Sequence, residues 1–214
     1  MCFFPASATE PQFANSTVTN LPLDVKTGMI LYVVINSDPA VSSEKIQIVK
    51  NAIMSNSSFT KDGKKFYEGW QGALLRASSD VKHQTTMYPM PETIKIIDSS
   101  ASNNIQAMVT ITLTSSTSDL GYSGYTSYTT YHRMVEGAHI VIYNADTLTN
   151  DDLSAVTKHE FGHALGLGHS SSSGDLMYPD IDSRTAFISE GNIEALCALY
   201  NGLILSQYSE TSET

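Results

Sequence analysis

Cysteine is nearly absent from this chain, with only Cys2 and Cys197 among 214 residues. Two thiols cannot make a disulfide framework, so a small cystine-stapled scaffold is excluded. Cys197 falls with Ile193, Leu196 and Tyr200 on one helical face, which reads as a core thiol. Charge is sparse too. Asp, Glu, Lys and Arg make up 16% of the chain, and 12 basic residues against 22 acidic ones leave a formal net charge of -10. Non-specific binding to nucleic acid or to an anionic membrane rewards Lys/Arg patches, so the composition argues against both. No apolar run approaches the ~20 residues of a membrane-spanning helix. The longest candidates, such as Met29 to Ile35, fit single strands. The opening residues MCFFPASATEPQ have neither a basic start nor a long apolar stretch, so no signal peptide is expected in the sequence as it stands. Ser and Thr exceed a fifth of the chain, and with so little charge the composition points outside the cytosol.

What is present is apolar material for one well-filled core, 41% of residues. Residues 1–26 are rich in Ser, Thr, Asn and Pro without a sustained period, and read as a tail or linker. From about Thr27 the pattern becomes regular. GMILYVVINS (28–37) predicts a buried strand, and Ser42 is placed to cap a helix through Met54 with Ile46, Val49 and Ile53 on one face. After a polar loop, SNSSFTKDG, the four-residue recurrence of Phe66, Trp70 and Leu74 predicts a second helix to about Ser78. TIKIID (93–98), NIQAMVTITL (104–113), GYSGYTSYTTYH (121–132) and AHIVIYN (138–144) predict strands, the third half-exposed. TNDD opens a helix to about Leu165, and a last helix is expected over Ser189 to Tyr200. Interleaved helices and strands predict an α/β or α+β domain with a mostly parallel sheet.

The segment that carries chemistry is HEFGHALGLGH, from His159 to His169. His159 and His163 are four apart, so on a helix they share a face and can bind one ion. Glu160 is their neighbour. Gly166 stands where the helix must end and can take the left-handed conformation there. The chain can then turn to bring His169 back as a third ligand, leaving the fourth position of a tetrahedral zinc open for water or substrate. A structural zinc is the competing reading, but structural sites are normally closed by four protein ligands, and this segment offers no fourth Cys or His.

HEFGHALGLGHS followed by SGDLMYP, with Met177 eight residues beyond His169, resembles the metzincin clan of zinc metalloproteases, and within it the matrixins, relatives of the matrix metalloproteinases. Ser170 directly after the third His and the Leu-Met-Tyr-Pro turn carry the likeness to matrixins. ISEGNIEALCALYNG resembles the family's closing helix. The resemblance implies a twisted, mostly parallel five-stranded sheet with an antiparallel edge strand, an active-site helix and a C-terminal helix, filling 27–205 between tails at 1–26 and 206–214. It implies His159, His163 and His169 as ligands of one catalytic zinc, Glu160 as general base and acid, and Met177 as an apolar floor under the metal. Val156, Tyr178, Pro179 and Ile181 match positions lining the pocket for the side chain after the scissile bond. The implied activity is zinc-dependent endopeptidase, acting as a secreted or cell-surface monomer on protein or peptide substrates. An extended peptide would add to the edge strand near Gly124 to Thr130. Calcium is left open. Lipidation of Cys2, behind an added Met1, is a further route to the cell surface.

The chain departs from the family in several places. The acidic glycine-rich spacing of a second, structural zinc site is missing around His83, His132 and His139, which read as surface or strand residues. Gly191 and Asn192 replace an Asp pair at the start of the last helix, Ile181 replaces a common pocket Tyr, and Cys2 does not resemble the family's propeptide cysteine motif. The rival from another class is a non-catalytic zinc-containing binding module for a surface protein or glycan. The intact Glu160 argues for turnover.

Overall fold

The computed structural model describes residues 21–25, 30–81, 88–98, 107–132, 134–184 and 186–201. Its centre is a five-stranded sheet in the order β4 (Thr93–Ile97), β1 (Ile30–Ser37), β5 (Val109–Leu113), β7 (Met134–Ile142), β6 (Gly124–Tyr131). The first four strands are parallel, and β6 runs antiparallel to β7 at the edge. This is the mixed α/β arrangement that the resemblance implied. The central strands are β-branched and alternate, with Val109, Ile111 and Leu113 of β5 wholly buried while Thr110 and Thr112 are half-buried. One face of the sheet therefore packs on helices and the other stays partly open.

Four helices complete the layer: α1 (Ser43–Met54), α2 (Trp70–Val81), α3 (Asn150–Ala164) and α4 (Glu190–Tyr200). Ser42 caps α1 as expected, accepting from the Lys45 amide at 3.3 Å. The start of α1 is tied to that of α3, since Lys45 Nζ donates to Leu148 O and Asn150 Oδ1, and Asn150 Nδ2 donates to Glu44 Oε1. Trp70 is fully buried at the start of α2, and its Nε1 donates to the carbonyl of Lys158 at 2.8 Å. That bond fixes α2 against α3 one residue before His159. Cys197 is half-buried and packs against the core from α4.

The structure corrects the expected helix around Phe66 and the loop before it. Phe66 lies in a strand, and SNSSFTKDG contributes to a hairpin of β2 (Ser58–Lys61) and β3 (Lys64–Tyr67), to which β8 (Ile188–Ser189) adds a third strand. The turn is Asp62-Gly63, both with positive φ, +51° and +73°, as a tight two-residue hairpin requires. One side carries half-buried aromatics, with Phe59 and Phe66 stacked at 5.7 Å and Phe187 edge-on to Phe59 at 5.0 Å, and the other side buries Tyr67 and Ile188.

Residues 21–25 also differ from the tail expected over 1–26. Leu23 and Val25 are buried, the Asp24 amide donates to Val135 O at 2.8 Å, and the Val135 amide donates to Pro22 O at 2.9 Å. Two alternating apolar side chains and a short parallel bridge to β7 make these residues part of the packed domain. Cys2, His83 and the expected C-terminal tail lie outside the described residues, as do residues 104–106 of the strand expected over 104–113.

Candidate metal centre

Helix α3 starts on Thr149, whose Oγ1 accepts from the Asp152 amide at 3.1 Å, with Asp151 and Asp152 at the positive end of the helix dipole. It ends at Gly166, where φ is +99°. A side chain is doubly excluded there, because a methyl group on Gly166 would fall 2.2 Å from the carbonyl oxygen of Leu21. The Leu167 amide donates back to Gly162 O at 3.0 Å, and the chain leaves the helix towards His169.

His159 and His163 are buried on one face of α3, and His169 joins them from a more open position on the following loop. Ring centroids are 4.6 Å apart for His159 and His163, 4.8 Å for His163 and His169, and 5.5 Å for His159 and His169. His159 Nδ1 donates to Leu176 O at 2.8 Å, and His163 Nδ1 donates to Leu167 O at 2.9 Å. A carbonyl only accepts, so each Nδ1 carries the proton and each Nε2 presents a lone pair. Those two Nε2 atoms lie 3.0 Å apart, and potential donor atoms of all three rings fall within 4.8 Å of one another. Burial pushes His159 down to about 4 and His163 well below its ordinary value, the latter with His159 adding to the effect, and burial lowers His169 as well. Neutral imidazoles facing one another by their lone pairs repel unless a cation lies between them. Zinc held at ~2.0–2.1 Å from each nitrogen puts tetrahedral nitrogens about 3.3 Å apart, so this donor set fits it. Among the described residues, this trio is the group of His, Cys, Asp and Glu side chains arranged to hold an ion.

Glu160, next to His159 in the chain, is buried, and burial pushes its carboxyl up to about 7 against the opposing effect of a hydrogen bond from Thr126. Thr126 Oγ1 donates to Glu160 Oε2 at 2.6 Å. Met177 is buried against α3, where a methyl group on Gly162 would come 2.5 Å from its Sδ. The two loops are pinned together, since the Ser170 amide donates to Met177 O at 2.8 Å and the Met177 amide donates to Asp175 Oδ1 at 2.7 Å. Val156 and Ile181 are buried, while Tyr178 and Pro179 are half-buried directly after Met177.

The other described histidines stand apart. His139 is exposed on β7 with Nε2 2.9 Å from Thr112 Oγ1, and exposed His132 stacks edge-on to Tyr131.

The description of the matrixin family, a peptidase family, matches residues 77–201. The chain belongs to the matrixins. Matrixins are a family of metallopeptidases that depend on zinc. This matrixin is 41% identical over 58 residues to human neutrophil collagenase, a match covering 26% of this chain and 12% of that protein. It is 45% identical over 51 residues to metalloendoproteinase 1 of Glycine max, covering 23% and 17%. With metalloendoproteinase 1-MMP of Arabidopsis thaliana it shares 56% over 34 residues, covering 16% and 9%. Each match spans less than a fifth of the relative's own length. The hairpin and α1 lie outside the family match.

Three contributors to the site escape motif reading. Gly124 lets β6 lie against α3, and a glycine inside a Tyr/Thr-rich strand is the available signal of such close approach. Thr126 follows two residues later on the same strand face. Asn192, one of the two replacements of the family's Asp pair, is buried in the capping box of α4, and its Nδ2 donates to Asp175 Oδ1 at 3.0 Å. The helix start is thereby tied to the Met177 turn, which only a comparison of the two distant segments could have suggested.

Proposed function

We propose that the chain is a zinc-dependent endopeptidase in which His159, His163 and His169 hold the metal and Glu160 carries the proton. The observation that supports this most is the convergence of imidazole nitrogens, two with the Nδ1 atoms already committed to carbonyls, on a helix whose next residue after His159 is the buried Glu160. When bound, zinc supplies a Lewis acid that polarises the scissile carbonyl and acidifies water. Glu160 accepts the proton of the attacking water and returns it to the leaving amine. Its carboxyl, at about 7 before any cation's charge is added, is suited to both directions of transfer near neutrality. Met177 packs as the floor of the site.

The substrate enters as an extended peptide along β6, the outermost strand on that side of the sheet, with exposed Tyr125 flanking its path. Val156, Tyr178, Pro179 and Ile181 line the pocket for the residue after the cut, and the aliphatic Val156 and Ile181 give no charge to pair with. The catalytic domain takes in residues 21–25 as well as the segment from 27 to about 205. It works as a monomer, secreted or held at the cell surface.

The test is a peptide library digested by zinc-loaded protein with and without chelator. Cleavage before apolar residues, lost with chelator and restored by zinc, is expected. A profile dominated by Lys, Arg, Asp or Glu after the cut contradicts the pocket, and no cleavage by folded, zinc-loaded protein contradicts the activity.

A further inference from the structure

The strand beside the metal centre carries a hydroxyl that the motif does not include. Side chains alternate along β6, so Gly124, Thr126 and Tyr128 share one face. That face looks onto α3. Thr126 is buried, its Oγ1 lies 2.6 Å from Glu160 Oε2 and 3.2 Å from the Glu160 carbonyl oxygen, and the Tyr128 hydroxyl is pushed up by burial with the Glu160 charge adding to it. A methyl group on Gly124 would stand 2.7 Å from Glu160 Cγ and Oε1 and from Val156 Cγ1, so bare backbone abuts the other side of the carboxyl group. The strand thus touches Glu160 at two successive inward positions.

A threonine hydroxyl has one proton to give. The 2.6 Å contact falls within the ~2.5–2.7 Å range of a hydroxyl bonded to an ionised carboxylate, and the 3.2 Å contact to the carbonyl is the weaker competitor. With Oε2 so engaged, the two carboxylate oxygens are no longer equivalent. We propose that Thr126 is the positioning residue for Glu160: its hydroxyl holds Oε2 and leaves Oε1 as the oxygen that takes and returns the proton. This rests on the reading of Glu160 as the proton carrier. Misplacement of a reacting group by about 1 Å costs on the order of 100-fold in rate, so loss of the hydroxyl should fall on kcat.

The test uses the full chain with Thr126→Val, which keeps the branched shape, Thr126→Ser, which keeps the hydroxyl, and Glu160→Gln as reference. Zinc content and melting temperature are checked for each. Two readouts are taken: kcat and KM on a peptide substrate, and the Glu160 side-chain carboxyl 13C resonance of the metal-free protein, assigned by its absence in Glu160→Gln. Thr126→Val should bind zinc normally, lose about 10- to 100-fold in kcat with KM unchanged, and shift the resonance. Thr126→Ser should restore most of both. An unmoved resonance, an unchanged kcat in Thr126→Val, or a Thr126→Ser variant as impaired as Thr126→Val overturns the positioning role. Full hydrolysis by Glu160→Gln overturns the proton-carrier reading, and this inference with it. Lost hydrolysis in Glu160→Gln beside a wild-type Thr126→Val overturns the inference alone.

Discussion

Two backbone carbonyls place the imidazole protons. Leu176 O and Leu167 O accept from the Nδ1 atoms of His159 and His163, and both carbonyls belong to the loop that begins at Gly166. The ligand geometry therefore depends on a residue that is not a ligand. With φ at +99° and the Leu21 carbonyl 2.2 Å from where a methyl would lie, Gly166→Ala meets backbone strain and a backbone collision together. The variant should lose at least ~2 kcal/mol of stability in denaturant unfolding and retain zinc less well than wild type. A loss under ~0.5 kcal/mol would show that the helix end can relax without cost. The need for glycine here was legible in the sequence, because the helix must stop between His163 and His169. The partners of Nδ1 were not, since Leu176 lies 17 residues from His159 and offers only backbone.

Elements were legible in proportion to their length and their caps. α3 and α4 carry Thr149 and Ser189 at their starts and apolar periods along their bodies, and both fall within a residue or two of where the sequence puts them. The four-residue strands β2 and β3 are not legible, because outside Phe59, Phe66 and Tyr67 they are Ser, Thr and Lys, and the four-residue spacing of Phe66 and Trp70 imitates a helix. Asp62-Gly63 is the one local sign of the hairpin. The 21–25 segment was hidden for a related reason, as Leu23 and Val25 are too few to show a period. Its packing makes a discriminating prediction. Leu23 is 1% exposed and its amide donates to Tyr200 Oη at 3.2 Å, so Leu23→Ala should cost about 2–3 kcal/mol in denaturant unfolding. A tail residue would give a change within ~0.5 kcal/mol.

For the whole molecule, the metal is expected to be a fold-stabilising ligand as well as a reagent. The three histidines come from a helix and from the loop that leaves it, so occupancy should tie both together. At zinc a hundredfold above its dissociation constant, binding adds about 2.7 kcal/mol, or roughly 5–10 °C in melting temperature for a chain of this size. Chelation should lower the transition by that amount, and zinc should restore it. An unchanged transition in protein shown to have lost its metal would contradict this coupling. Elemental analysis after exhaustive dialysis in chelator-free buffer should find close to one zinc per chain. A His159→Ala, His163→Ala double variant should hold close to none. A full equivalent retained by that variant would mean that the upstream histidines form a site of their own.

The central claim is that one carboxyl group, Glu160, moves the proton at a metal held by three histidines. Turnover per bound zinc in Glu160→Ala addresses it most directly, because the ligand set stays complete while the proton carrier is removed. Metal content and hydrolysis of a peptide with an apolar residue after the scissile bond are measured on the same sample. The variant should bind zinc as wild type does and lose at least about 100-fold in kcat. Wild-type turnover in a fully zinc-loaded Glu160→Ala protein would contradict the account.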